Sequence, residues 1–320
     1  MIEEWAALIP ADLIESFQID PPVVFIGAGF GKEAIPPLKT AAELTKELRD
    51  ELGVSADSGE GLSELLQYLK NQSAGSKRSV VEWLRKKLLH DSNDPGGAHY
   101  LLLHLSSQEF ITTNYDSLLV KAARKIQGYT LTPVDDPGSY QSTLDRIKGR
   151  NREAVLGRIH GAYESEDRLV ATTDDYIHNY TQQKKWPQIL EERLRNRRVI
   201  FIGYSLRDFT TWTSYISMLV EWGNNKYPHV MVAPTQSTHV TTFWSNYGIQ
   251  YIPLKAHQFL IGLHDRLNNL ENVETVAFSA AASCLNKSYD DTVTEIEQVQ
   301  KDSSYSSPLR AALTLVEEIR

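Results

Sequence analysis

VVFIGAGFGKEAIPPL (residues 23–38) runs from a β-branched apolar stretch through three small residues to a proline pair. The opening run reads as a buried strand over 23–27, because continuous apolar residues without alternation suit a strand covered on both faces. Gly27, Ala28 and Gly29 follow at its end. Small residues bury little surface, so the pattern implies that something approaches the backbone closely there. Alone the signal is weak, since glycine after a strand also serves ordinary turns. The dinucleotide fingerprint G-x-G-x-x-G is incomplete too: Gly27 and Gly29 fit, but Lys32 holds its last position.

Outward from this stretch the same form recurs. FITTN (110–114), AVLGRIHG (154–161), RRVIFIGYS (197–205), HVMVAPT (229–235) and IQYIPL (249–254) are short apolar runs, most of them closing on glycine or polar residues. Helical periodicity separates them. Residues 1–19 read as one amphipathic helix ended by the DPP at 20–22, and residues 40–105 as a helical insertion in which Gly53 stops a helix. Strands alternating with helices imply right-handed crossovers. The expected fold is α/β and Rossmann-like, a mainly parallel sheet with helices on both faces. Residues 1–255 form the expected core, and 256–320 a helical tail interrupted by KDSSYSSP at 301–308.

Composition narrows the function classes. The 320 residues are 41% hydrophobic and 23% charged, which suits a globular protein with a large core. A net charge of −8 argues against direct nucleic-acid binding. KRSVVEWLRKK (77–87) reads as the solvated face of a helix rather than a basic patch. Cys284 is the single cysteine, so neither an internal disulfide nor a multi-cysteine zinc site is expected. The histidines fall at no metal-ligand spacing, so no metal is expected. MIEEWAALIP lacks the basic start and apolar core of a signal peptide, and no run nears the roughly 18 apolar residues of a membrane span. The expectation is a soluble, cytoplasmic protein that does not bind membranes.

Ligands of doubly wound sheets bind beyond the carboxyl ends of the strands. Here those ends carry Gly27-Ala28-Gly29, Asn114 with Asp116, His160-Gly161, and Gly203 with Ser205. Each has a bland reading. Asn114 suits a turn, Asp116 and Asp208 suit helix starts, and an isolated His160 would more often be a core histidine. Four such ends in one sheet are harder to explain as turns.

GAGF, AIPPL, TTNYD, IHG and GYSLRD, in this order, resemble the NAD-binding core of the sirtuins, over roughly residues 22–255. They are most similar to the bacterial sirtuin-like branch found in anti-phage defence proteins. The resemblance implies that Gly27, Ala28, Gly29 and Phe30 let the backbone meet the NAD pyrophosphate. It implies that Asn114 and Asp116 flank the nicotinamide ribose and that His160 is catalytic. Gly203 and Ser205 would then serve the adenosine half, and Thr235, in VAPT (232–235), the adenine ribose. Departures matter as well. Where deacylating sirtuins carry four zinc-binding cysteines, this chain has AYESEDRLVATTDDYIHNY. Gly31 replaces the usual serine, Pro37 the usual acid, and Lys39 stands near the usual arginine. The zinc module is therefore absent.

An NAD hydrolase is the expected function, releasing nicotinamide and ADP-ribose with water as acceptor, as the NAD-depleting effector of an abortive-infection system. NAD is its substrate. Alternatives are a non-catalytic module sensing NAD or ADP-ribose and an NAD-dependent deacylase; a hydride-transferring dehydrogenase fits worse. Free activity would poison the cell, so a homo-oligomer or an infection-sensing partner, for example an ATPase or an Argonaute-like protein, is expected to restrain it. Apolar stripes at 258–270 and 309–319 must bury against the core or another chain, and the second is the better interface candidate.

Overall fold

The computed structural model describes residues 2–268, apart from 56–58, 89–92, 164–165, 180–184, 205–227 and 235–237. Its strands are β1 (Val23–Ile26), β2 (Glu109–Thr112), β3 (Thr130–Val134), β4 (Glu153–Arg158), β5 (Val199–Ile202), β6 (His229–Val232) and β7 (Ile249–Ile252). They form one sheet in the order β3-β4-β2-β1-β5-β6-β7, and every pairing is parallel. On one side of β1 the chain lays β2, then the edge strand β3, then β4 between them, and it crosses over to place β5, β6 and β7 on the other. The reversal falls between β1 and β5, where doubly wound sheets open a crevice beyond the strand ends.

Side-chain alternation explains why β1 is apolar throughout. Val24 and Ile26 join one cluster with Trp5, Leu13, Phe110, Leu119, Ile200 and Phe259. Val23 and Phe25 join another with Tyr140, Trp186, Leu190, Phe201 and Trp244. The first face is covered by α1 (Ile2–Ala7), α2 (Ala11–Ile19) and three further helices. Those three are α6 (Gly97–Leu103), α7 (Leu118–Lys125) and α12 (Ala256–Arg266). The second is covered by α8 (Pro137–Ile147), α10 (Lys185–Asn196) and α11 (Thr238–Asn246). This is the doubly covered parallel sheet that the sequence implied.

Two details differ from the sequence reading. The expected single helix over 1–19 is two, because Pro10 is the N-cap of α2 with extended backbone at ψ 140°, and the residue before a proline is driven out of helical conformation. Strand β3, in TLTPV, was not anticipated. It carries Pro133 and lies at the edge of the sheet, where a strand tolerates a residue that donates no ladder hydrogen bond.

Within the insertion, α3 (Ala41–Leu52), α4 (Leu62–Gln72) and α5 (Lys77–Leu88) build a separate small core. A capping box between Thr40 and Glu43 starts α3, and Gly53 at φ +65° ends it. Leu169 and Ala171, from the segment after β4, pack into this same cluster. On α5, Val80, Val81 and Leu84 are buried while Arg78, Glu82, Arg85 and Lys86 are exposed, so that helix has an apolar face as well as a solvated one, and Lys87 pairs with Glu47 and Glu51 at 2.6 Å.

Candidate functional site

The loops after β1 and β5 interlock. Gly27 N–H donates to Ile202 O at 3.0 Å, and Gly29 N–H donates to Gly203 O at 2.8 Å. A Cβ on Gly27 would lie 2.5 Å from the Tyr204 ring, and one on Gly29 would lie 2.7 Å from Gly203 O. Gly203 itself has φ +63°, and a Cβ there would lie 2.2 Å from Phe30 N. The close approach signalled by Gly-Ala-Gly is therefore met by the chain's own backbone. Phe30 is 2% exposed, with its ring tilted against that of His99 at 4.7 Å between centroids, so its side chain belongs to the core. Ala28 is half-buried in the same turn. Ser205 and Thr235 lie outside the described residues.

Asn114 joins the ends of β1 and β2. Its backbone N–H donates to Thr112 Oγ1 at 3.0 Å and its Nδ2 donates to Gly27 O at 3.1 Å. Its Oδ1 is buried and meets no hydrogen-bond donor among the described residues. Asp116 Oδ1 accepts from Leu118 N–H at 3.0 Å, which ties it to the start of α7. Burial pushes the Asp116 carboxyl above the ordinary carboxylate range, against the opposing hydrogen bonds and the Lys121 charge.

His160 follows β4, the strand beside β2. Ile159 N–H donates to Thr112 O at 3.1 Å, and Val170 N–H donates to His160 O at 2.9 Å. The next residue, Gly161, has φ +68°, and a Cβ there would lie 2.4 Å from Arg168 O. His160 is 3% exposed. The Tyr115 ring centroid lies 6.3 Å from its ring, and the Tyr115 hydroxyl donates to Val170 O at 2.7 Å. Tyr176 meets the imidazole edge-on at 5.1 Å, with its hydroxyl 3.5 Å from Nδ1.

Tyr176 stands on α9 (Thr173–His178), which a capping box between Thr172 and Asp175 initiates. Asp175 also pairs with Lys77 of α5 at 2.8 Å, and the same ammonium donates to Leu169 O. The insertion is thus pinned to the segment that follows His160. The structure gathers Gly27, Gly29, Asn114, Asp116, His160 and Gly203 at neighbouring strand ends. Sequence reasoning passed over Tyr115 and Tyr176. The T-x-x-D of the capping box was the legible signal for α9, but not for the ring it carries. Among the described residues no three or more His, Cys, Asp or Glu stand together as a metal site. No helix among them is long and apolar enough to cross a membrane.

Comparison with known proteins adds a second line. Residues 108–252, which contain β2 to β7 with Asn114 and His160, match the family described as a SIR2-like domain. The protein named NAD(+) hydrolase ThsA from Acinetobacter baumannii (strain 532279) is 27% identical over 188 residues, 58% of this chain and 36% of its own length. Its namesake from Bacillus cereus (strain MSX-D12) is 26% identical over 193 residues, 58% of this chain and 37% of its own. The chain thus spans somewhat over a third of the length of these relatives. A solved structure described as "Structural Basis for the Mechanism and Regulation of Sir2 Enzymes" aligns at TM-score 0.44 and 16% identity, covering 82% of this chain and all of its own.

Proposed function

We propose that the protein is an NAD hydrolase that breaks the bond between nicotinamide and ribose. One observation carries the reading: Asn114 and His160 stand on adjacent strand ends of the SIR2-like region, with a buried amide oxygen at Asn114 that lacks a donor among the described residues. A buried polar atom costs free energy until something satisfies it, and a ribose hydroxyl or a water does so. The relatives named as NAD hydrolases supply the substrate class.

The chemistry follows from the groups present. The C1′–N bond breaks and its electron pair returns to the nicotinamide ring, which neutralises the ring charge, so little acid catalysis is needed on that side. The sugar passes through an oxocarbenium-like state. Water adds at C1′ and gives up a proton, giving ADP-ribose, nicotinamide and one proton. A neutral imidazole has one ring nitrogen with a free lone pair, so His160 can act as the base that takes that proton. Asn114 positions the water or the ribose hydroxyl, and Asp116 lies beside it on the ribose side. The pyrophosphate would lie against the Gly27–Phe30 turn, whose small residues leave its backbone uncovered, with Gly203, Ser205 and Thr235 serving the adenosine half.

We assign the activity to NAD depletion in anti-phage defence, in the cytoplasm, under the control of self-assembly or of a partner that senses infection. Purified protein should release nicotinamide from NAD. His160→Ala and Asn114→Ala should each lower that rate by about 10²-fold or more, the scale of a lost general base or positioning group, with NAD binding largely retained. A His160→Ala protein that turned over NAD like the parent would remove the catalytic assignment. NAD binding by the parent without nicotinamide release would mark a sensing module instead.

A further inference from the structure

We propose that Tyr176 is a positioning residue for His160, fixing which ring nitrogen carries the proton. The inference rests on His160 acting as the base. A neutral imidazole holds one proton on one of two nitrogens, and the hydrogen-bond partner of one nitrogen decides what the other can do. The Tyr176 hydroxyl is 3.5 Å from Nδ1, and its ring meets the imidazole at 85° with centroids 5.1 Å apart. With the proton on Nδ1 and directed at Tyr176 Oη, Nε2 keeps its lone pair for the proton released by water. The contact is long, and catalytic hydrogen bonds commonly tighten in the substrate complex.

Tyr115, also beside His160, has its hydroxyl committed to Val170 O at 2.7 Å and lies nearer parallel to the imidazole, at 33°. It walls the ring in without addressing Nδ1. Tyr176 is placed by several constraints that converge on the first turn of α9. Thr172 and Asp175 cap the helix, Ala171 N–H donates to Asp175 Oδ2 at 3.1 Å, and Lys77 holds Asp175 from the helical insertion at 2.8 Å. A six-residue helix with that many anchors fixes the hydroxyl relative to the end of β4.

Tyr176→Phe keeps the ring and its edge-on packing and removes only the hydroxyl, so it separates positioning from structure. In steady-state nicotinamide release the variant should lose roughly 10-fold in kcat with KM within about twofold of the parent and an unchanged thermal midpoint. Nitrogen NMR of labelled histidine, with the His160 signal identified by its loss in His160→Ala, gives a readout independent of turnover. The parent should show Nδ1 protonated, and Tyr176→Phe should shift the population toward protonated Nε2. A Tyr176→Phe kcat within twofold of the parent, or a loss confined to KM, would overturn the proposal. So would a parent histidine protonated on Nε2. If the parent releases no nicotinamide, or His160→Ala matches it, the hydrolase reading fails, and the NMR measurement still decides whether Tyr176 sets the tautomer.

Discussion

Gly29 has a reason to be glycine within the fold itself. The carbonyl of Gly203 lies 2.7 Å from where its Cβ would be, and that neighbour is backbone, which cannot turn aside as a flexible side chain can. Gly29→Val should therefore destabilise the fold by about 1–3 kcal/mol, the range for forcing bulk into a filled space, read as a lower urea midpoint. NAD affinity should fall with it, as a consequence of the displaced loop. A Gly29→Val protein with the parent's urea midpoint would show that the β1–β5 contact is not what requires glycine. The sequence signal was real, but it could not say whether a phosphate or the chain itself came close, because both demand the same missing side chain. Asn114 and His160 were legible for a different reason. Each sits at the end of an apolar run, where a polar residue is conspicuous. Tyr176 was not, since its contact with His160 spans 16 residues and depends on how α9 is capped.

Elements were readable to the degree that their environment leaves a pattern. The central strands are buried on both faces, so β1 and β5 appear as unbroken apolar runs; β1, β2, β5 and β6 are buried at every position. Strand β3 lies at an edge, two of its five residues are exposed, and it contains a proline, so its pattern resembles a loop. The stripe on α12 announced burial without naming the partner. In the structure Phe259, Leu260, Ile261 and Leu263 are each 0% exposed and pack with Trp5 and Ile9. The stripe at 309–319 obeys the same physical rule but lies outside the described residues. We infer that this last segment docks another chain and so controls activity. Truncation at Ser303 should change both the mass seen by light scattering and the rate of nicotinamide release. Unchanged mass and rate would reduce the segment to internal packing.

At the scale of the whole molecule, buried histidines set the acid limit. Burial lowers His229 to about 3, and His99 and His264 to about 4, outweighing the backbone hydrogen bonds that favour their charged forms. Above pH 6.5 these groups are neutral whether folded or unfolded, and they contribute nothing to pH dependence. Below it the unfolded chain takes up protons that the folded one refuses, so stability falls as pH falls from about 6.5 toward 4. Each histidine contributes at most about 1.4 kcal/mol per pH unit in that window. Urea midpoints should decline steeply between pH 6.5 and 4, and a flat profile would contradict the burial of these rings. His264→Gln should shallow the slope, because one of the proton-refusing sites is then gone.

The two ends of the described fold meet. Arg266 donates to the carbonyls of Ala6 and Ile9 at 3.3 Å, and a Cβ on Gly262 would come within 3.0 Å of Ala6 N, so α12 lies directly on α1. A ribosome emits the chain from its amino end at about 5–20 residues per second. Trp5 and Ile9 thus wait uncovered for roughly 10–50 s, until the residues that shield them emerge. Maturation is a race between release and aggregation, and the sheet's first face is sealed only after translation has passed α12.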